Sequence, residues 1–315
     1  MFRYTTRAAA PGEERRRGRS ERRIERARIR RYDRGNYREG SPVTLGEIRA
    51  KLREDRPTVG TWAQLPSPDS AELLARAGYD WVAVDMEHGS FGPANLPDIF
   101  RGIECGGAVP FARLPEASKV WIKVALEAGA LGLIFPMIET REQLDKAIDL
   151  ATYPGQDFWR EKGSTASEYR GVGFCRANAF GLNFARYREE IAPEIFIVAQ
   201  VENVRAVDNL ASILQCPRLD AIMVGPYDLS GSMGLTGKFD DPRFEAVMEK
   251  INDECRASGK RMGLHIVEPN PEKLSAEIAG GARFIAYGID TVFLWRSAAR
   301  PAADSPTNAR DGSFR

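Results

Sequence analysis

The sequence predicts a (β/α)8 TIM barrel, an α/β fold with an eight-stranded parallel sheet closed on itself, behind a disordered basic N-terminal extension. Three observations predict it. Eight short, strand-length runs recur between residues 58 and 290 and are apolar on both faces, the pattern of a sheet covered on each side. Amphipathic stretches separate them, several stopping at glycine, a common helix end. No GxGxxG or GxxxxGKS follows any run, so a Rossmann or P-loop sheet is not indicated, and eight units fit a closed barrel better than an open sheet.

In chain order the runs are TVGTWAQ (58–64), WVAVDM (81–86), AVPFARL (108–114), LGLIFPM (131–137), IFIVAQVE (195–202), DAIMVGP (220–226), RMGLHIV (261–267) and RFIAYGID (283–290). Between them lie SAELLARAG, ASKVWIKVALEAG, REQLDKAIDLA and DPRFEAVMEKINDECRASG, whose apolar residues recur at helical spacing. One connection, between LGLIFPM and IFIVAQVE, is much longer than the rest. Long irregular loops in compact domains are commonly lids or binding loops, and this one leaves the C-terminal end of a strand, where barrel active sites lie.

These boundaries divide the chain into an Arg-rich extension (1–43), a barrel (44–300) and a flexible C-terminal tail (301–315). Net charge is +1, yet residues 1–40 hold fourteen Arg against six acidic residues. The extension has too few apolar side chains to offset its ordering entropy and reads as solvated chain; its functional alternative is a nucleic-acid or other polyanion contact. Cys105, Cys175, Cys216 and Cys255 form no CxxC pair, which argues against a zinc site or a disulfide framework and fits a reducing cytoplasm. No apolar run is long enough to span a bilayer.

In such a barrel the polar residues at the strand ends converge on one site. The second run ends in Asp85, Glu87 and His88, the third in Arg113, the fifth in Gln200 and Glu202, the sixth in Gly225, Pro226, Tyr227 and Asp228, and the eighth in Asp290. Glu202 and Asp228 are the expected metal ligands, because hard divalent ions take carboxylate oxygen and keep positions for water and substrate. Arg113 offers a fork that grips a carboxylate. His88 suits proton transfer near neutral pH, with Asp85 or Glu127 as candidates to orient its other nitrogen. His265 lies inside the seventh run, where a hydrogen-bonded core histidine and a site residue both remain open.

These pieces resemble the HpcH/HpaI family of class II pyruvate aldolases, which includes 2-keto-3-deoxy sugar-acid aldolases and macrophomate synthase. The resemblance rests on SAELLARAGYDWVAVDMEHG, FARLPEASKVWIKVALEAGALGLIFPMIET, YRGVGFCRANAFG, VAQVENVRAVDNL, VGPYDLSGSMG and FIAYGIDTVFL, in the family's order across residues 44–296. It implies a barrel assembled as a homohexamer and a Mg2+, Mn2+ or Co2+ ion on Glu202 and Asp228 that chelates pyruvate. It further implies Arg113 beside the developing enolate, His88 as acid/base acting through a water, Gln200 against the pyruvate moiety, and backbone amides near Gly225 and Pro226 at its carboxylate. The expected reaction is reversible cleavage of a 4-hydroxy-2-oxo acid to pyruvate and an aldehyde. Alternatives are oxaloacetate decarboxylation, macrophomate-synthase-like use of the enolate, or a non-catalytic barrel whose tail binds anions.

Overall fold

A computed structural model describes residues 41–156 and 168–298. The expectations for the basic extension and the C-terminal tail therefore lie outside the described residues, apart from the few positions next to the barrel. Eight parallel strands close into a barrel in sequential order: β1 (Thr58–Ala63), β2 (Trp81–Asp85), β3 (Val109–Arg113), β4 (Gly132–Phe135), β5 (Phe196–Val201), β6 (Ala221–Val224), β7 (Arg261–Ile266) and β8 (Phe284–Ile289). Each lies within one of the apolar runs, because only a strand buried on both faces uses such a run without alternation.

The two faces of the strands build two cores. Outward residues such as Val82, Val84, Leu133 and Ile222 pack against the surrounding helices. Inward residues fill the barrel with aromatic rings. Trp81 stacks on Phe284 at 4.5 Å between centroids and on Phe111 at 5.4 Å, and Phe196 stacks on Phe284 at 5.6 Å. Glycine makes the room: a Cβ on Gly60 would sit 2.0 Å from the Trp81 ring, and one on Gly132 would sit 2.6 Å from Phe111.

Helix α1 (Leu45–Arg53) starts at a capping box formed by Thr44 and Glu47. Its Ile48 and Leu52 join the inner cluster, so α1 closes the end of the barrel at which the strands begin. Arg49 pairs with Asp220 at 2.7 Å and Lys51 with Asp80 at 2.6 Å, tying α1 to the starts of the strands. Helices α2 (Pro68–Arg76), α3 (Leu96–Cys105), α4 (Lys119–Ala128) and α5 (Arg141–Ala151) then follow β1 to β4 in turn. Two short helices, α6 (Val204–Asp208) and α7 (Leu210–Leu214), follow β5. The remaining strands are followed by α8 (Pro226–Ser232) and α9 (Pro242–Ser258), then α10 (Pro271–Gly280), then α11 (Asp290–Ser297). Among the described residues no helix is long and apolar enough to cross a membrane.

The long connection leaves the C-terminal end of β4, where Glu139 accepts from Asn203 Nδ2 at 3.1 Å just beyond β5. Helix α5 then carries the chain back along the barrel; of the described residues that follow, Glu168 pairs with Lys119 at the start of α4 at 3.0 Å, and Arg176 packs at the opposite end. Arg176 donates to the carbonyl of Ala128 at 2.8 Å and pairs with Glu104, at the C-terminal ends of α4 and α3. Arg170, buried, lies over the rings of Tyr153 and Tyr187, with its Nη1 donating to the Tyr187 hydroxyl at 2.8 Å.

Candidate active site

Asp85 is the last residue of β2 and Arg113 the last of β3, and the register pairs them directly. Both side chains therefore face the barrel interior at its C-terminal rim. Arg113 donates from Nε to Asp85 Oδ1 at 2.9 Å and from Nη2 to Asp85 Oδ2 at 2.7 Å, a bidentate pair. Gln64, just beyond β1, adds a bond to Oδ2 at 2.8 Å, and the amides of Glu87 and His88 approach Oδ1 at 3.3 and 3.2 Å. Burial alone would raise the Asp85 carboxyl, but its bonds to Arg113, Gln64 and the His88 amide hold it below the usual carboxylate range. The Arg113 guanidinium also lies 4.4 Å over the ring of Trp62.

Asp85 is thus spent on Arg113 and does not orient the His88 ring, contrary to the first expectation. The carboxylate nearest that imidazole is Glu87, whose Oε2 is 3.8 Å from His88 Nε2 and 3.4 Å from Arg113 Nε. The His88 ring itself is largely exposed at the barrel mouth. Glu127 is not brought to this site either. It sits near the C-terminus of α4, at the far end of the barrel, where its charge is felt by Tyr153 and Tyr187. A helix returns its C-terminus to the start of the next strand, so a residue there cannot reach the opposite rim.

Glu202 follows β5 and is buried. Its Oε1 accepts from the Met137 amide at 2.6 Å and its Oε2 from Gln200 Nε2 at 2.7 Å. Met137 reaches it by adopting φ +51°, a left-handed backbone that a non-glycine residue rarely takes. Burial pushes the Glu202 carboxyl up to about 7, and the charges of Glu87 and Asp228 add to this against the Met137 amide and Arg113. Glu87 is raised by the same combination of burial and neighbouring carboxylates, Asp85 and Asp228, opposed by Arg113. Asp228, in the first turn of α8, is exposed, and its charge reaches both.

Gly225 is required beside Glu202, since a Cβ there would lie 2.7 Å from Oε2. Its amide is already committed to the Val201 carbonyl at 3.2 Å, and Pro226 has none. The expected amide contacts to a substrate carboxylate are therefore not available from these two residues. Asp290 acts structurally: its carboxylate accepts from the amides of Gln64 and Leu65 at 2.9 Å each and fixes the end of β1.

The rim thus gathers Asp85, Glu87, Glu202 and Asp228 around one guanidinium, that of Arg113. Among the described residues no group of three or more His, Cys, Asp or Glu is arranged to hold a metal. Two carboxylates nevertheless fit a hard divalent ion, which keeps water or substrate oxygens at its other positions. A dication would offset the burial and, after it, the neighbouring negative charges that raise Glu202. Glu87, Gln64 and Met137 are the contributors that sequence reasoning left without a role. Strand-end position was a signal for the first two, and Met137 acts through its backbone, which leaves no residue-type signature.

The sequence profile of the HpcH/HpaI aldolase/citrate lyase family matches residues 58–297. A 4-hydroxy-2-oxovalerate aldolase from Novosphingobium aromaticivorans is 35% identical over 254 residues, 78% of this chain and 89% of that protein. A 4-hydroxy-2-oxo-heptane-1,7-dioate aldolase from Escherichia coli is 32% identical over 262 residues, 81% of this chain and 93% of that one. Among solved structures, an HpcH/HpaI aldolase/citrate lyase family protein from Burkholderia cenocepacia J2315 matches with a TM-score of 0.73 and 30% identity, over 80% of this chain and 96% of the other. The profile runs from the first strand through the last helix and takes in every residue of the rim, so the chain belongs to the HpcH/HpaI aldolase/citrate lyase family.

Proposed function

We propose that this protein is a divalent-metal-dependent aldolase that reversibly cleaves a 4-hydroxy-2-oxo acid to pyruvate and an aldehyde. The observation that carries the reading is the buried Glu202 carboxylate, raised to about 7 beside Glu87 and Asp228, with Arg113 the counter-charge already clamped by Asp85. Glu202 and Asp228 would hold the ion, which supplies Lewis-acid polarisation of the 2-oxo group. The related 4-hydroxy-2-oxo acid aldolases support this substrate class.

The chain's own residues account for the remaining work. Asp85 takes the Nε and Nη2 edge of Arg113, fixes its plane, and leaves Nη1 to meet the oxygen on which charge develops as the C3–C4 bond breaks. Gln200, whose Oε1 is buried without a partner, faces the pyruvate half. His88, at the mouth beside Glu87, accepts the proton of the C4 hydroxyl, directly or through a water, and returns one to C3. Cleavage of a panel of 4-hydroxy-2-oxo acids, with oxaloacetate included, tests the reading by pyruvate release with and without EDTA. Chelator-sensitive pyruvate release from the hydroxy acids is expected. Release that ignores EDTA, or that comes from oxaloacetate alone, would overturn it.

The proposal extends to a cytoplasmic homohexamer. Four free thiols support a reducing compartment, and Leu294 and Trp295 of α11 expose apolar surface that a neighbouring subunit would cover. Light scattering of the purified protein measures the assembly.

A further inference from the structure

Four neighbouring strands, β8, β1, β2 and β3, end in polar side chains that stand in one row. Along β1, β2 and β3 the inward residues Trp62, Ala83 and Phe111 belong to the core inside the barrel, while Ala63, Val84 and Ala112 face the helices. Side chains alternate along a strand, so Gln64, Asp85 and Arg113 turn inward again. The register keeps them level, because Ala63 pairs with Val84 and Asp85 with Arg113. On the other side of β1 the pairing with β8 skips a residue, from Gly60 with Ala286 to Trp62 with Ile289. Gly288, at φ +71°, lies in this bulge. The extra residue advances β8 by one, so that Thr291 rather than Asp290 comes level with Gln64.

The row is joined by hydrogen bonds. Gln64 Nε2 donates to Asp85 Oδ2 at 2.8 Å, and Thr291 Oγ1 donates to Gln64 Oε1 at 3.2 Å. Chemistry fixes the direction. Asp85, ionised against Arg113, can only accept, so the end of the Gln64 amide that faces it is the nitrogen, and the oxygen is left for the Thr291 hydroxyl. Both supports are themselves held. Asp290 accepts from the backbone amides of Gln64 and Leu65 at 2.9 Å each and of Thr291 at 2.8 Å.

Asp85 does not need Gln64 for charge balance, since Arg113 supplies that through two bonds. What Gln64 adds is direction. The Trp62 ring, 4.4 Å from the Arg113 guanidinium, limits tilt of its plane but lets it slide across the face. Glu87 Oε2, 3.4 Å from Arg113 Nε, draws it toward the mouth. The bidentate grip of Asp85 opposes that drift only while its own carboxylate is kept from turning. The amides of Glu87 and His88 approach Oδ1 at 3.3 and 3.2 Å, so the 2.8 Å bond from Gln64 is the shortest that Asp85 receives apart from those of Arg113.

We propose that Gln64 is a positioning residue for Arg113, acting through Asp85 and held in turn by Thr291. This role rests on the aldolase reading and brings the end of β8 into the catalytic rim. The free Nη1 edge of Arg113 is aimed by residues from four strands, and half-buried Gln64 is the link between the two outer pairs.

The test measures cleavage of 4-hydroxy-2-oxopentanoate with Mg2+, Mn2+ or Co2+ by the wild type, Gln64→Leu, Thr291→Val and Thr291→Ser, beside pyruvate proton exchange in D2O. Gln64→Leu should lower kcat by about tenfold, short of the roughly 100-fold that a displacement of about 1 Å can bring. KM should stay nearly unchanged, because Arg113 acts on charge that appears only in the transition state. Exchange should fall by a similar factor, since it depends on the same developing charge. Thr291→Val leaves Gln64 in place without its donor and should lose about threefold in kcat. Thr291→Ser restores the hydroxyl and should recover most of that loss. The Thr291 pair carries the comparison if Gln64→Leu does not fold. An unchanged kcat in Gln64→Leu or in Thr291→Val, a loss carried by KM alone, or a Thr291→Ser no better than Thr291→Val would overturn the assignment. Wild-type cleavage and exchange with unaltered variants defeat only the role of Gln64. Absence of both in the wild type defeats the aldolase reading, and the proposal falls with it.

Discussion

Replacing Asp85 with Asn tests the reasoning about the rim most directly. The change keeps the shape of the side chain but removes the charge that faces Arg113 across bonds of 2.9 and 2.7 Å in a fully buried position. Removing one member of a buried ion pair typically costs about 3–5 kcal/mol, because the remaining charge is left uncompensated. Glu87 stands 3.4 Å from Arg113 Nε and takes over part of the pairing. The lower end is therefore expected, about 3 kcal/mol, which for a domain of this size is a fall in Tm of roughly 6–12 °C at neutral pH. The effect depends on pH in a definite direction. The folded Asp85 carboxyl titrates below its usual 3.8, so in acid the unfolded chain binds the proton first. Its contribution is complete above about pH 5 and is lost as pH falls through the folded value, so the gap between wild type and variant should close below about pH 4. Calorimetry of both proteins from neutral to acid pH measures it. Adding Arg113→Met to the variant should recover much of the loss, since no buried charge then remains. A neutral-pH shift under about 2 °C, or a gap that widens in acid, would show that the pair does not carry the stability assigned to it.

Glu202→Gln and Asp228→Asn each remove a charge from the pair proposed to hold the ion, so divalent-ion affinity by calorimetry should fall by about 100-fold or more, and turnover with it; full metal-dependent activity in the double variant would displace the ion from this pair. His88→Ala should lower kcat by about 10²- to 10⁴-fold while titration still shows metal binding, and loss of the metal would make His88 a ligand instead. Deleting residues 1–40 should leave kcat and Tm nearly unchanged, because the first helix of the barrel starts after that segment, at the capping box of Thr44 and Glu47. A truncated protein that fails to fold or assemble would show the segment to be part of the packed structure.

Much of this was legible in the sequence, for definable reasons. A strand buried on both faces must be apolar throughout, so the barrel strands announce themselves, and a carboxylate that closes such a run, as Asp85 does, has to be explained. What the sequence left open depends on relations between strands. Whether Asp85 serves His88 or Arg113 is decided by the pairing of β2 with β3, which one run cannot show. The Met137 amide reaches Glu202 through a backbone angle that its side chain does not foreshadow. Glu127 shows the same limit: helical spacing places it near a helix C-terminus, but only the closed barrel shows that this end lies opposite the rim. The same direction of travel accounts for Arg176, which packs at the far end once α5 has turned the chain around.

The stacked rings of Trp81, Phe111, Phe196 and Phe284, closed below by α1, give the barrel a solid floor. Solvent, ion and substrate must then enter and leave by one doorway, and any proton exchanged with bulk water must use it as well. Whatever covers that doorway controls all of this traffic at once, so access becomes a property of the rim alone. The rim loops can vary their reach without disturbing the packed column beneath, whose fit was set before any ligand arrived.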